Sequence, residues 1–296
     1  MKLRAGGHSI EITHADKVLF PKGKITKEEL ARYYAKVARL MIPLIKDRPI
    51  SMKRYPKGIK QGGFFQKNAP ETLPSFVKTT SVSRKEKGAA RMILCNNVAT
   101  LIWLANQNCI APHIWLSRID KPDIPDRLIF DLDPPARKGI SAVIEGALIL
   151  RQFLEKELKL KAFVNTTGSR GVHVMVPIKR EYGFKEVRAF AKAAAEELTS
   201  RHPKLFTHEV RKNKRGGKIY LDIMRNGYGQ TVVAPFAVRP KEGAPIALPL
   251  SWSQLKKLSS ADAFTLRSFS MRTNPWAGMN RAVHSLKPAL KNLHKM

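Results

Sequence analysis

The segment RLIFDLDPP, residues 127–135, has the pattern of a buried β-strand that ends in two alternating acidic residues and two prolines. Side chains alternate between the faces of a strand, so Asp131 and Asp133 project together from one face at its end. Two carboxylates this close repel each other unless a cation lies between them, and hard oxygen ligands suit Mg²⁺ or Mn²⁺. A solvated strand end with a turn-forming Asp-Pro step is the alternative. The scarcity of acidic residues and the apolar residues before Asp131 favour the metal site.

A third acidic residue, Asp222, lies in the apolar segment IYLDIM, residues 219–224. On a strand it shares one face with Tyr220 and Met224, while the three aliphatic residues share the other. A carboxylate in such a strand must be paired, hydrogen-bonded or bound to a metal. Three carboxylates on neighbouring strands would form a two-metal site for phosphoryl transfer.

The segment TTGSRGVH, residues 166–173, predicts a glycine-rich turn between two strands. Glycines let backbone N–H groups surround an anion, to which Thr167 and Ser169 add hydroxyls and Arg170 adds charge. His173 faces away from the neighbouring valines and can lie beside a ligand. An ordinary hairpin with a histidine at the edge of the core is the alternative. Phosphates bound here, beside a carboxylate–metal cluster, would define a nucleoside triphosphate site.

Two adjacent aromatic residues, Phe64 and Phe65, follow a glycine pair in GGFFQKN. Adjacent rings on a strand point to opposite faces, so in a one-sided sheet only one could belong to the core. In a basic protein such rings can stack on bases, each stack contributing roughly 1–3 kcal/mol. Burial of both rings is the alternative.

Several basic residues are candidate phosphate ligands. Lys17 and Lys27 flank the start of a predicted helix, where free N–H groups already attract anions, although ordinary surface lysines are the alternative. Arg215 ends a basic run that precedes the Asp222 strand, and it can reach a triphosphate or brace that acid. Residues 83–88 form a second charged run, in a predicted hairpin.

The remaining pattern predicts an α+β fold with largely antiparallel sheets and flanking helices. Thr26 and Glu29 form a capping box before a helix whose core face carries Leu30, Tyr33, Tyr34, Val37, Leu40, Met41 and Leu44. Further helices are predicted at residues 98–106, 139–158, 185–200 and partly in the last 35 residues. Strands are predicted at residues 50–55, 76–82, 90–95, 127–133, 162–167, 172–178, 219–224 and 231–236.

The charge of the chain is unusual. Its 296 residues include 54 Lys and Arg against 23 Asp and Glu, a net charge of +31. Such an excess, spread along the chain, favours a basic face that binds nucleic acid, with mere solubility as the alternative. Neither a membrane helix nor a secretory signal is visible, and two cysteines, expected to be buried thiols, suit a reducing compartment. The sequence therefore predicts an intracellular protein.

Taken in order, the motifs resemble one family: the polymerase domain of bacterial DNA ligase D and its stand-alone archaeal and bacterial relatives, within the archaeo-eukaryotic primase superfamily. They are DKVLFP, ITKEEL, RPISMKRYP, GGFFQKN, HIW at His113, FDLDPP, TTGSRGVHV, YLDIMRN and TVVAPFAVRP. The resemblance implies a primase-type core with mixed, largely antiparallel sheets. It further implies one domain over residues 1–296, with an N-terminal DNA-binding layer over about 1–110 and a catalytic core over about 111–296.

The resemblance also implies roles for individual residues. Asp131, Asp133 and Asp222 would be the catalytic, metal-binding triad. Residues for the nucleotide would be Lys53, His113 beside the sugar, Thr167, Arg170, His173, Arg225, Gln230 and Arg239, joined by the Ser169 and Arg215 considered above. Residues for DNA would be Lys17 and Lys27 at a 5′-phosphate, Arg54 near the template, Phe64 and Phe65 under a template base, and Arg84, Lys85 and Lys87 in a loop that holds two ends together.

The function implied is template-directed addition of nucleotides, ribonucleotides preferred, to a primer 3′-OH during non-homologous end joining. Two divalent metal ions would take part, with Mn²⁺ favoured and Mg²⁺ also suitable. The implied partners are DNA with gaps, 3′-overhangs and 5′-phosphates, NTP or dNTP, a separate DNA ligase and Ku. The implied location is the nucleoid in the cytoplasm of a prokaryote.

Two other functions fit parts of the pattern. A primase or short-gap polymerase of excision repair would use the same chemistry without pairing ends. A non-enzymatic single-strand binder would use the basic face and the Phe pair, but three carboxylates in its groove would repel phosphate.

Overall fold

Helices and mostly antiparallel strands make up the computed structural model, which describes residues 1–84, 88–135, 139–270 and 272–296. The strands are β1 (Lys2–Ala5), β2 (His8–Glu11), β3 (Val18–Phe20), β4 (Ile25–Thr26), β5 (Pro49–Arg54), β6 (Phe64–Gln66), β7 (Lys78–Arg84), β8 (Gly88–Leu94), β9 (Cys109–Ile114), β10 (Arg127–Asp133), β11 (Phe163–Thr166), β12 (Val172–Pro177), β13 (Phe206–Thr207), β14 (Ile219–Asp222), β15 (Val232–Val233) and β16 (Pro249–Leu250). The helices are α1 (Lys27–Ile45), α2 (Val98–Asn106), α3 (Ile140–Gln152), α4 (Phe184–Arg201), α5 (Trp252–Lys256) and α6 (Leu286–Leu293). The predicted α+β class is confirmed.

The chain forms two compact units. The first contains Met1–Pro122, Thr231–Ala247 and Phe264–Arg272; the second contains Asp123–Gln230, Leu248–Ala263 and Thr273–Met296. The prediction of a single functional domain with a layer boundary near residue 110 stays a prediction.

The first unit contains helices α1 and α2 and a sheet with the strand order β15-β9-β5-β8-β7. Strand β6 also pairs with β5 of this sheet. Helix α1 begins at the predicted capping box: the Thr26 hydroxyl accepts from the Glu29 N–H, and the Glu29 carboxylate accepts from the Thr26 N–H. The predicted core face of α1 is buried, so both predictions are confirmed. The predicted hairpin is confirmed by the antiparallel pairing of β7 with β8, whereas Lys85 and Lys87 lie outside the described residues.

In the second unit, a six-stranded sheet has the order β13-β14-β10-β12-β11-β16. All of these pairings are antiparallel except the one between β13 and β14. The predicted strand at 127–133 is confirmed as β10, and its Leu128, Phe130 and Leu132 are fully buried. Helix α3 packs on the same face as these residues, because a Cβ at its Gly146 would lie only 2.7 Å from the Ile219 side chain. The acid-bearing face is therefore the opposite one.

Two predicted strands end early. The segment predicted at 219–224 forms a strand only to Asp222, and Met224–Asn226 then form a 3₁₀ turn. The segment predicted at 231–236 pairs only at Val232–Val233. Both cysteines are buried and free, as predicted. Among the described residues, every helix is too short or too polar to cross a bilayer.

Candidate active site

The three predicted acids lie on adjacent central strands of the second unit. Asp131 on β10 is the direct cross-strand partner of Asp222 on β14, and of His173 on β12. Directly opposed residues on antiparallel strands project from the same face, and Asp133 joins them because it follows Asp131 by two positions. The structure therefore brings the three acids and His173 together on one face.

The charges of these residues act on one another. Burial raises the pKa of Asp133, the negative charges of Asp131 and Asp222 raise it further, and Arg215 and Arg170 oppose the rise. The His173 Nε2 lies 3.5 Å from Asp131 Oδ2, and Arg215 Nη1 lies 3.9 Å from Asp133 Oδ2. A raised carboxyl pKa beside two like charges is the electrostatic sign of a place where a cation would be stabilising.

The donor atoms of the three acids and their positions on neighbouring strands suit a divalent metal ion. Carboxylate oxygens are the ligands that Mg²⁺ and Mn²⁺ prefer. Within the described ranges, however, no three Asp, Glu, His or Cys side chains converge as they would around a bound ion. Asp222 Oδ1 instead accepts a hydrogen bond from the Met224 N–H at 2.7 Å. The chain thus supplies suitable ligand types, and Asp222 is hydrogen-bonded to the backbone of the turn that follows it.

The glycine-rich turn packs directly against the strand that carries the acids. A Cβ at Gly171 would lie 2.1 Å from the Leu132 carbonyl oxygen, so only glycine fits there. Gly168 has a φ of +62°, which also favours glycine. The Thr167 hydroxyl donates to the Gly171 carbonyl at 3.0 Å and accepts from its N–H at 3.3 Å. That hydroxyl therefore closes the turn, while Arg170 is exposed.

The other predicted nucleotide residues occupy varied positions. In the second unit, Arg225 and Gln230 are exposed after the end of β14, and Ser169 is half-buried in the turn. In the first unit, Arg239 is half-buried. Burial raises the pKa of Tyr55, and the positive charge of Arg239 opposes this rise.

An aromatic and basic face lies on β5, β6 and β9 of the first unit. The Phe64 and Phe65 side chains are 48% and 49% exposed, so burial of both rings is excluded. Lys53 Nζ lies 4.4 Å from the centroid of the Phe65 ring, and the His113 ring meets the same ring edge-on at 5.0 Å. Arg54 lies 5.8 Å from the Phe64 ring centroid. Exposed rings beside cations can stack on bases while the cations contact phosphates.

A group of cations gathers at the start of α1. Lys27 is buried, and its Nζ donates to the Thr13 carbonyl at 2.7 Å. Burial first, and then the positive charges of Lys17 and Arg54, lower the pKa of Lys27 to about 8. Cations that repel one another in this way favour an anionic ligand. The structure therefore brings together Lys17 and Lys27, the two lysines that the sequence indicates as candidate phosphate ligands.

Two residues with a bearing on the site were missed. Asn226 is fully buried, and its side chain hydrogen-bonds the backbone of β10 at Ile129. Tyr220 is the cross-strand partner of Asp133 and stacks on Arg215. Tyr220 shares the alternation that placed Asp222 on this face, so the pattern could have indicated it, whereas the role of Asn226 depends on a contact across the sheet.

Comparison with known proteins places this geometry in a family. Residues 26–277 match the family described as LigD, primase-polymerase domain. The bifunctional non-homologous end joining protein LigD of Bacillus subtilis is 31% identical over 258 residues, which cover 87% of this chain and 41% of that protein. The multifunctional LigD of Pseudomonas aeruginosa is 31% identical over 276 residues, covering 93% of this chain and 32% of that protein. This chain thus spans well under half the length of these relatives.

A solved structure is also similar. The polymerase domain of Mycobacterium tuberculosis ligase D, in complex with DNA, superimposes with a TM-score of 0.85 at 27% identity, covering 92% of this chain and 98% of that one. The fold and the family match define a DNA-directed nucleotidyltransferase of the primase-polymerase class. The chain belongs to the LigD primase-polymerase domain family.

Proposed function

We propose that this chain adds nucleotides, ribonucleotides preferred, to a primer 3′-OH at gapped or broken DNA ends during non-homologous end joining. The observation that carries the proposal is the β10–β14 register, which sets Asp131 opposite Asp222 with Asp133 on the same face. Three carboxylates on one face can bind the metal ions of nucleotide transfer. A protein that only binds DNA has no use for them, because they repel phosphate. The relatives named for end joining support the biological setting.

In this proposal each group of residues has a task. Asp131, Asp133 and Asp222 hold two divalent cations, Mn²⁺ in preference to Mg²⁺, which when bound supply the charge for in-line transfer to the 3′-OH. The nucleotide contacts are Lys53, His113, Thr167, Ser169, Arg170, His173, Arg215, Arg225, Gln230 and Arg239.

The face on the first unit serves DNA. Phe64 and Phe65 support a template base, with Arg54 beside them, and Lys17 and Lys27 receive a 5′-phosphate. DNA is bound by the similar M. tuberculosis domain, which supports this assignment. A separate DNA ligase and Ku are the partners that the role requires, at the nucleoid.

The test is extension of a labelled primer on a gapped duplex with a 5′-phosphate. The extension rate with rNTP is compared with the rate with dNTP, and the rate with Mn²⁺ is compared with the rate with Mg²⁺. The wild type is assayed beside the control variant Glu196→Gln, which changes an exposed acid of α4. We expect extension by both, faster with rNTP and with Mn²⁺. Lack of extension with every metal and nucleotide would refute the enzymatic role.

A second substrate separates end joining from gap filling, the alternative that uses the same residues. It consists of two duplexes with short complementary 3′-overhangs, which must pair before extension. Extension of both substrates supports end joining, whereas extension of the gapped duplex alone supports a gap-filling polymerase of excision repair.

A further inference from the structure

Tyr220 lies inside the acid-bearing face. It is the cross-strand partner of Asp133 and precedes Asp222 by two positions, so the three side chains project from one face of the sheet. The residue is only 6% exposed. Its neighbours on this face include charged groups, so packing of an aromatic ring in an apolar core does not account for it.

The ring of Tyr220 supports Arg215. The guanidinium carbon lies 3.9 Å from the ring centroid, the distance of a stacked pair. Two other edges of the guanidinium are engaged, because Nε donates to the Glu209 carbonyl at 3.1 Å and Nη2 donates to the Val210 carbonyl at 3.0 Å. The remaining nitrogen, Nη1, lies 3.9 Å from Asp133 Oδ2. Arg215 thus joins the basic loop to an acid while resting on Tyr220.

We infer that Tyr220 is a positioning residue that couples the basic loop at residues 208–218 to the carboxylates: its ring holds Arg215 beside Asp133. The inference rests on the proposed function for its catalytic consequence, but the coupling itself is a property of this face. The coupling needs the ring and not the hydroxyl, so variants can separate the two.

The experiment uses Tyr220→Phe, Tyr220→Leu, Arg215→Ala and the double variant Tyr220→Leu/Arg215→Ala, with Tyr182→Leu as a control elsewhere in the unit. Trypsin cleavage within the basic loop measures whether the loop is held. Thermal unfolding shows that each variant is folded. Primer extension gives kcat and KM for the nucleotide.

We expect Tyr220→Phe to match the wild type in loop cleavage, because it keeps the ring on which Arg215 rests. We expect Tyr220→Leu to accelerate loop cleavage and to lower kcat as much as Arg215→Ala does. The double variant should be no worse than either single one, because both remove the same contact. The control should match the wild type in every measurement.

Accelerated loop cleavage in Tyr220→Phe, unchanged loop cleavage in Tyr220→Leu, or multiplied kcat losses in the double variant would overturn the inference. If Tyr220→Leu does not fold, Arg215→Lys tests the same stacked contact by changing its other residue. Faster loop cleavage is then expected, and unchanged loop cleavage would overturn the inference. Failure of the proposed function looks different. The wild type itself would then not extend the primer, while the trypsin measurement would still report the coupling.

Discussion

The side chain of Asn226 hydrogen-bonds both main-chain groups of Ile129. Its Oδ1 accepts from the Ile129 N–H at 2.9 Å, and its Nδ2 donates to the Ile129 carbonyl at 2.8 Å. Ile129 shares β10 with Asp131, and Asn226 follows β14, which ends at Asp222. The amide therefore continues the pairing of these strands beyond the last residue of β14, and it fixes the two acid-bearing segments relative to each other.

We predict that Asn226→Ala lowers the free energy of unfolding by about 2–4 kcal/mol, since it leaves a buried N–H and a buried carbonyl without that partner. Primer extension should fall further than the folded fraction does, because the spacing of Asp131 and Asp222 is no longer fixed. Urea unfolding and extension rates are the measurements. Asn292→Ala is the control, because it removes a single bond, to the Glu157 carbonyl at 3.0 Å, and should cost less than about 1.5 kcal/mol. Equal effects of the two variants would contradict the positional role.

Local patterns were sufficient to predict β10, the capping box and the core face of α1. Each is decided by residues within a few positions, through strand alternation, N-terminal capping and helical periodicity. The end of β14 could not be predicted in this way. The pattern of residues 219–224 alternates to its last residue, but the chain turns after Asp222 because Asn226 bonds to Ile129 across the sheet.

The residue types of the candidate site could be predicted from the sequence better than the contacts between them. Alternation placed Asp131 and Asp133 on one face, but the register that sets Asp222 opposite Asp131 depends on how distant strands pair. The same holds for the rings of Phe64 and Phe65, whose half exposure depends on what covers each face of the sheet. The hydrogen bond of the Thr167 hydroxyl within its own turn could not be predicted either, because it depends on how Gly171 folds back beside it.

We predict that Asp131→Ala or Asp133→Ala abolishes nucleotide addition, a loss of at least about 100-fold, and leaves DNA affinity unchanged or higher. The loss follows because a metal ligand is removed, and the affinity is retained because a negative charge leaves a groove that binds phosphates. Extension rates and fluorescence anisotropy with gapped DNA test the two parts. Extension by Asp131→Ala near the wild-type rate would contradict the metal-site assignment.

We predict that recognition of a 5′-phosphate weakens as the pH rises through about 8. Lys27 has its pKa lowered to about 8, by burial first and then by the charges of Lys17 and Arg54, so its cation is lost earlier than that of an ordinary lysine. The phosphate is already fully charged above about pH 7, because its second pKa is about 6. The affinity ratio of phosphorylated to unphosphorylated gapped DNA should therefore be largest near pH 7 and should fall by pH 9.5.

The control for this titration is Lys27→Arg, which keeps its charge and should abolish the pH dependence of the ratio. The double variant Lys17→Ala/Lys27→Ala should bind both DNAs equally, since each lost phosphate contact removes a salt-dependent increment of affinity. Full discrimination by the double variant would place the phosphate pocket elsewhere.

We predict that the two basic runs have different tasks. Arg84 is the last residue of β7, and Arg84, Lys85 and Lys87 are far in sequence from the acids, whereas Arg215 lies 3.9 Å from Asp133. Alanines at Arg84, Lys85 and Lys87 should impair extension of two annealing 3′-overhangs and spare filling of a pre-annealed gap, while Arg215→Ala should impair both. The triple variant Lys192→Ala/Lys204→Ala/Lys256→Ala removes the same charge from exposed positions of the second unit and controls for general DNA affinity. Equal losses in both assays for the hairpin variant would mean that the hairpin only adds charge, and gap repair would then explain the chain better than end joining.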